Sequence, residues 1–493
     1  MTQRPIRKVL IANRGEIALR VIRACRAHDL AAVAVYSDAD AAALHVRAAD
    51  EAYRVGGAAP AESYLNIGAM IDAARRAGAD AVHPGYGFLS ENPAFAQACA
   101  DAGLTFVGPP PEALALCGDK AATRARAAEA GVPLLRGTGP VDDGAIQHAA
   151  ARLGFPLLIK AAAGGGGKGI HRVERPADLA GALTLARGEA RTAFGDDRVY
   201  LEQWLDRPRH VEVQIAADGR DAVVHLGERE CSIQRRHQKV IEEAPAPGLA
   251  EELRERLHQA AVTAARAVGY RSAGTVEFLV VGSAFYFLEI NARLQVEHPV
   301  TEAVTGVDLV ALQLRIASGA PLSIRQSAVR MRGHALECRV SAEDVEREFL
   351  PWVGRIDHVL LPGGPGIRID SALAPGMEVS RYYDPLLAKV IAMGATREEA
   401  IARMAGALRE MVVTGVPTTI PFHRWAMGHP AFRSGAYDTR FVDAEWHGRR
   451  SPDPRLAALA AAVLVHQSRR RSPLLPPQAA SAWTQAAKQG GLT

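Results

Sequence analysis

Four short apolar runs punctuate residues 1–115, at 8–12, 32–36, 79–83 and 105–108. Apolar on both faces and too short for helices, they read as buried strands. An amphipathic helix from Asn13-Arg14-Gly15-Glu16 to about His28 separates the first two. Residues 84–92 turn from the third strand into another helix. Strands alternating with helices predict a parallel, doubly wound sheet. Asn13-Arg14-Gly15 is not a GxGxxG turn, so dinucleotide binding is poorly supported here.

The pattern then changes. Strands over 156–161, 169–173 and 198–202, with a helix over 176–193, predict a small α+β unit within 132–205. Between its first two strands lie Gly164, Gly165, Gly166 and Gly167, then Lys168-Gly169. Uninterrupted glycine permits positive φ and close backbone approach, as a phosphate-covering loop requires, and equally permits a plain flexible hairpin. Lys160 just upstream and Lys168 within the loop turn the reading toward a hinged lid over a polyphosphate. Residues 210–217 and 222–229 read as long strands. The basic cluster Gln234-Arg235-Arg236-His237-Gln238-Lys239 follows, and its alternation into Val240-Ile241 points it inward, as an anion site would need. Strands over 334–340, 354–361, 367–369 and 386–393, then a helix over 396–412, make the last region mainly antiparallel. A polar, Pro-containing tail follows from 447, with an alanine-rich helix near 456–466, and no internal repeat is visible.

The row from Phe285 to Pro299 organises the rest. From Glu289, polar groups fall on every second residue: Glu289, Asn291, Arg293, Gln295 and Glu297. In an extended chain these five share one face, and burying them without a ligand would leave charges and amides unsatisfied. Residues 275–281 and 285–290 read as a hairpin. A three-residue loop sets Glu277 across from Glu289, whereas a two-residue loop points Glu277 away. Glu277, Glu289 and Asn291 would together offer a hard oxygen site suited to Mg²⁺ carrying nucleotide phosphates.

Composition narrows the class. A 493-residue chain, 48% hydrophobic and 23% charged, is an ordinary soluble globular protein of about three domains. Net charge +4 is small for this length and suggests no nucleic-acid partner. No apolar run approaches a membrane span, and residues 1–8 lead into a strand without an apolar secretory core, so the expected location is the cytoplasm. Five scattered cysteines without a CxxC pair fit reduced thiols. Only seven of the 58 basic residues are lysine: Lys8, Lys120, Lys160, Lys168, Lys239, Lys389 and Lys488. A chain so biased to arginine keeps lysine where a compact ammonium does what a guanidinium fork cannot.

These residues resemble one family. Ile11-Ala-Asn-Arg-Gly-Glu-Ile17, His83-Pro-Gly-Tyr-Gly-Phe-Leu-Ser-Glu-Asn92, Gly118-Asp-Lys120, the glycine loop, the cluster ending at Lys239, and Glu289 to His298 are similar to biotin carboxylase. Glu337-Cys-Arg339 and Tyr382-Tyr-Asp384 match as well, and the likeness covers about residues 5–445. It implies an ATP-grasp ligase that carboxylates biotin on a carrier protein from ATP and bicarbonate, with Mg²⁺ or Mn²⁺. The implied domains are an N-terminal α/β domain (1–115) and an ATP-grasp domain (116–320) with a mobile lid (132–205). A C-terminal domain (333–446) and a tail (447–493) complete them.

The resemblance also implies roles. Lys120 and Lys160 would hold ATP phosphates, with Gly165, Gly166, Gly167 and Lys168 closing over them. Glu202, Gln203, Trp204 and Leu205 would form the adenine linker, with His210, Gln234 and His237 beside the nucleotide. Glu277, Glu289 and Asn291 match metal-binding positions. Lys239, Arg293, Gln295 and the Val296 backbone match the bicarbonate site, with Glu297 as base and Arg339 stabilising the biotin enolate. A free carboxylate near pKa 4.3 is a weak base, so Glu297 requires burial to raise it, while Arg293 would oppose that. Lys168 stands where arginine is commoner, Ala163 shortens the glycine run, and Gln203-Trp204 replaces the usual Lys-Tyr. Cys231 has no thiolate step to serve.

No Met-Lys-Met biotin-attachment site occurs, and no second half is large enough for carboxyl transfer. The expectation is therefore a homodimeric biotin carboxylase subunit of acetyl-CoA carboxylase, in fatty acid biosynthesis. It would serve a separate biotinylated carrier and a carboxyltransferase. A subunit serving pyruvate or another acyl-CoA is the alternative, and the tail faintly resembles the linker of acyl-CoA carboxylase α chains. A catalytically silent scaffold is disfavoured by Lys239, Arg293, Glu297 and Arg339, and an ATP-grasp ligase for another acid by Arg339 and the Gln234 to Lys239 cluster.

Overall fold

A computed structural model describes residues 6–162, 169–220, 222–448 and 462. The glycine loop at 163–168 and the tail helix expected near 456–466 therefore lie outside the described residues, apart from 462. The described residues up to 447 form one compact unit.

The N-terminal sheet is parallel, in the order Glu51–Gly56, Ala31–Ser37, Lys8–Ile11, Ala81–His83, Thr105–Phe106. Its edge strand Glu51–Gly56 escaped the sequence reading, because Glu51 and Arg54 break the apolar run. The inner strands are buried on both faces: Val9, Leu10, Ile11 and Ala32 to Val35 have no exposed surface. Gly85 holds φ at +63°, and a Cβ there would meet Asn13 Nδ2 at 2.9 Å. That amide donates to the carbonyls of Pro84 and Tyr86, tying the two N-terminal motifs together.

A four-stranded antiparallel sheet follows, in the order Gly137–Pro140, Val199–Gln203, Leu157–Ala161, Ile170–Val173, with helix Leu179–Phe194 against it. The largest sheet has eight antiparallel strands. Its order is Ala284–Asn291, Arg271–Val281, Arg209–Asp218, Val223–Arg235, Gln238–Ala244, His334–Ser341, Leu386–Gly394, Ile367–Ser371. Hydrogen bonding thus runs unbroken from the expected metal strands to the strand of Arg339. The strand expected over 354–361 is instead two short pairings, Gly354–Arg355 and Val359–Leu360, each in its own two-stranded sheet. Among the described residues no helix is long and apolar enough to cross a membrane.

Candidate active site

A cavity of about 1150 Å³ opens over the end of the eight-stranded sheet that carries the hairpin. Its lining includes Lys120, Lys160, Gln203, Trp204, Leu205, His210, Gln234, His237, Lys239, Glu277, Glu289, Asn291, Arg293, Gln295, Val296 and Arg339. Most of the sequence-predicted residues therefore converge, with Glu297 enclosed behind the lining, although the local geometry departs from expectation in four places.

The first is the hairpin. Val281 pairs with Ala284, so the loop has only two residues, Gly282 and Ser283, and not three. Taken alone this register would turn Glu277 away. A bulge at Leu288 inserts one extra residue, after which Glu277 pairs directly with Glu289. Bulges place two residues opposite one and so reverse side-chain parity, a device invisible to alternation counting.

Second, the extended row ends at Asn291. Residues 292–297 bend and turn into helix His298–Thr305, whose N-cap is Glu297. The polar groups still meet, because the bend folds them together. Arg293 donates to Gln295 Oε1 (2.7 Å) and Asn291 Oδ1 (3.1 Å), and its Nε donates to Glu91 (2.8 Å). Gln295 Nε2 donates to Glu277 at 3.1 Å.

Third, the basic cluster is only partly inward. It is the tip of a hairpin between Val223–Arg235 and Gln238–Ala244, turning at Arg236 and His237 with φ of 50° and 64°. Positive φ at both central residues gives the twist that a two-residue hairpin needs. Gln234 is buried and Lys239 nearly so, whereas Arg236, His237 and Gln238 are exposed at the cavity rim. Gln234 Nε2 lies 2.6 Å from His210 Nδ1.

Fourth, the Glu202 side chain lies outside the cavity lining. It is buried, 2.5 Å from Arg124, and pairs with Lys160 on its other oxygen. Only its backbone remains for the linker role, while Gln203, Trp204 and Leu205 do line the cavity.

The centre of the site is a buried charge network. Lys239 Nζ donates to Glu212 (2.5 Å), Glu277 (2.8 Å) and Glu297 (2.6 Å). Arg339 bonds Glu242 through Nε (2.6 Å) and Glu297 through Nη2 (2.8 Å). Glu297 is thus gripped on one oxygen by an ammonium and on the other by a guanidinium, with no exposed surface. Burial pushes its carboxyl up, but Lys239, Arg339 and Arg229 together outweigh that and hold it below the usual range. Arg293 acts in the same direction, since Glu297 helps hold its guanidinium charged, but the three larger contributions come from Lys239, Arg339 and Arg229. Burial pushes Glu242 up to about 7 against the pull of Arg339. Glu277 is held well below the carboxylate range, because Lys239 and His210 outweigh its burial. His210 Nε2 lies 2.9 Å from Glu277, and Lys120 Nζ 2.8 Å from Glu289.

Sequence reasoning missed Glu91, Glu212, Arg229 and Glu242. For Glu212, Arg229 and Glu242 the signal was available, since charges inside long apolar strands need buried partners, whereas Glu91 lies in an exposed turn that offers none. Cys231 is fully buried among Glu212, Lys239 and Glu297, and burial raises its thiol well above the ordinary value, as an inert cysteine requires. Gly165, Gly166, Gly167 and Lys168 lie outside the described residues.

Family models place this arrangement. Residues 5–114 match the biotin carboxylase N-terminal domain, 119–325 the ATP-binding domain of the carbamoyl-phosphate synthase L chain, and 337–444 the biotin carboxylase C-terminal domain. A biotin carboxylase of Nostoc sp. is 51% identical over 442 residues, which are 88% of this chain and 98% of that one. The chain belongs to the biotin carboxylase family. Members of that family are ATP-dependent ligases built on the ATP-grasp fold. A pyruvate carboxylase subunit of Methanothermobacter thermautotrophicus is 50% identical over 438 residues, 88% of this chain and 89% of that one. Among solved structures, the biotin carboxylase of Campylobacter jejuni superposes with TM-score 0.87 at 45% identity, covering 89% of this chain and 98% of the other. The biotin carboxylase domain dimer of Hydrogenobacter thermophilus 2-oxoglutarate carboxylase gives TM-score 0.88 at 44% identity, covering 90% and 98%. It was solved with ADP, magnesium and bicarbonate.

The site suits the metal that a biotin carboxylase implies. Glu277 and Glu289 face each other across the hairpin, Glu277 is held ionised, and Asn291 adds an amide oxygen beside them. Two carboxylates and an amide form a donor set for a hard divalent cation.

Proposed function

We propose that this chain carboxylates biotin borne on a separate carrier protein, from ATP and bicarbonate through carboxyphosphate, as the biotin carboxylase subunit of an acetyl-CoA carboxylase. The reading is carried by Glu297, bridged between Lys239 and Arg339 beneath a cavity that Lys120 and Lys160 also line.

Lys120 and Lys160 hold the ATP phosphates, with Gly165, Gly166, Gly167 and Lys168 closing over them. Gln203, Trp204, Leu205 and the Glu202 backbone receive adenine, beside His210, Gln234 and His237. Glu277, Glu289 and Asn291 hold Mg²⁺ or Mn²⁺, whose charge, when bound, offsets that of the triphosphate.

Lys239, Arg293, Gln295 and the Val296 N–H hold bicarbonate, and Glu297 takes its proton. A carboxylate held as low as Glu297 is ionised but weakly basic. Incoming anions compete for Lys239 and so loosen its grip on Glu297, which raises the affinity of that carboxylate for a proton. The bicarbonate oxygen attacks the γ-phosphorus and ADP leaves, giving carboxyphosphate. Its C–O bond then breaks to yield CO₂ and phosphate. That phosphate accepts the proton from the ureido nitrogen of biotin, Arg339 offsets the charge developing on the ureido oxygen, and the nitrogen adds to CO₂.

A second reading, a subunit serving pyruvate or another acyl-CoA, is favoured by the 50% identity to the pyruvate carboxylase subunit. Identification of the biotinylated protein that co-purifies with the chain separates the two. The state is taken as a homodimer, as the Hydrogenobacter domain is, and the location as the cytoplasm.

Glu297→Gln tests the chemistry. Bicarbonate-dependent ATP cleavage should fall by ~10²–10⁴-fold while nucleotide still binds. Turnover close to wild type in this variant would remove Glu297 as the base.

A further inference from the structure

Of the seven lysines, Lys389 is the buried one that no step above employs. It lies in strand Leu386–Gly394, directly across from Arg339 on one side and Asp370 on the other. Directly opposed residues in an antiparallel sheet share a face, so the ammonium rises beside the guanidinium of Arg339. The residue has no exposed surface.

Three acceptors surround Nζ. It donates to the Val296 carbonyl at 2.9 Å, pairs with Glu16 at 3.3 Å, and lies 3.9 Å from Asp370. Val296 is the cavity-lining residue immediately before Glu297, in the bend that ends the polar row. Glu16 in turn accepts from the hydroxyl of Tyr86, a second cavity wall, whose ring centre is 5.9 Å from Nζ. One buried cation therefore fastens two walls of the cavity that lie far apart in the sequence.

We infer that Lys389 is a positioning residue for the bicarbonate half of the reaction: it clamps the Val296 carbonyl and, through Glu16, Tyr86. With that carbonyl fixed, the 295–297 bend is fixed, and with it the direction of the Val296 N–H and of the Glu297 carboxylate. The residue type follows from the geometry. Three acceptors converging on one point suit an ammonium with three donors on a single atom, whereas a guanidinium spreads its five over a planar fork. This explains why lysine persists there in an arginine-rich chain. The inference rests on the bicarbonate reading of the previous subsection.

Lys389→Met keeps the stem and removes the clamp. Bicarbonate-dependent ATP cleavage should show kcat/KM for bicarbonate lowered by ~10²-fold, the usual cost of a displacement near 1 Å. The KM for ATP should move less than about twofold, since the nucleotide end is untouched. Lys389→Arg should recover only a minor part of the loss. Because the single variant strands Glu16, a Lys389→Met/Glu16→Gln double variant keeps an acceptor for Tyr86 without the unpaired charge. It should fold and still show the bicarbonate-specific defect. The inference is overturned if either folded variant keeps kcat/KM for bicarbonate within twofold of wild type. It is overturned equally if bicarbonate and ATP parameters fall together, or if the double variant fails to fold, since the role is then structural only. Absence of bicarbonate-dependent cleavage in the wild-type chain would instead sink the bicarbonate reading itself.

Discussion

The two central sheets bury their strands in opposite ways. The inner strands of the parallel N-terminal sheet are apolar on both faces, with Leu10, Ile11, Val33 and Val35 wholly enclosed. The eight-stranded sheet encloses Glu212, Gln214, Arg229, Glu242 and Glu337 just as deeply, and Glu277 nearly so. Burying an isolated charge costs far more than burying a methylene, so most of these groups are paired and hydrogen-bonded. Glu337, whose two oxygens have no hydrogen-bond partner, is instead pushed well above the ordinary carboxylate value by burial. Arg229 shows the solution: it donates to Glu212 (2.5 Å), Gln214 (2.6 Å), Thr301 (2.8 Å) and Thr275 (3.0 Å). The first sheet is a frame. The second trades part of that security for a fixed field at the cavity floor.

Breaking the charged sheet should have the largest effect on stability. Arg229→Met leaves Glu212 buried with only Lys239, and removal of one partner from a buried pair costs about 3–5 kcal/mol. Adding Glu212→Gln should restore much of that stability in denaturant unfolding but not activity, because Lys239 still lacks one of its three carboxylates. If Arg229→Met unfolds at the wild-type midpoint, the network is not what the sheet depends on.

The frame should fail differently. Leu10→Ala in strand Lys8–Ile11 should cost about 3 kcal/mol, through lost burial and a partly collapsed cavity. Activity per folded molecule should be unchanged, since Leu10 touches nothing in the site. A selective loss of kcat would contradict the division between frame and field.

The same division decided what the sequence could show. Apolar runs located the inner parallel strands within a residue or two, because enclosure on both faces leaves one composition. The edge strand Glu51–Gly56 was lost because a half-exposed strand keeps its charges. In the site, residue types were legible from Glu277 to Arg339, and their convergence on one cavity followed. The route was not. Alternation assumed a straight strand, and the bulge at Leu288 and the bend after Asn291 are backbone features without a strong side-chain signature. Nor could spacing show that Glu202 would face Arg124 and Lys160, since that depends on which strand lies next door.

The smallest expected effect separates the sheets by acidity. Burial holds His45, beside the parallel sheet, down to about 4, against an ordinary value of 6.5. As pH falls from 6.5 toward 4 the unfolded chain gains a proton there that the native chain refuses, so stability falls with pH in that window. In the large sheet, Glu243 is held at about 2 against an ordinary 4.5, because His334 and Arg397 outweigh its burial. Its contribution is intact above 4.5 and disappears as pH falls through about 2. Acid should therefore loosen the frame's histidine first and the charged sheet's carboxylate later. His45→Gln should flatten the unfolding free energy between pH 6 and 4.5 by about 1.4 kcal/mol per pH unit, leaving the slope below pH 4 unchanged. An identical slope in variant and wild type above pH 4.5 would place the histidine's proton in both states, and the order of acid loss argued from the two sheets would not hold.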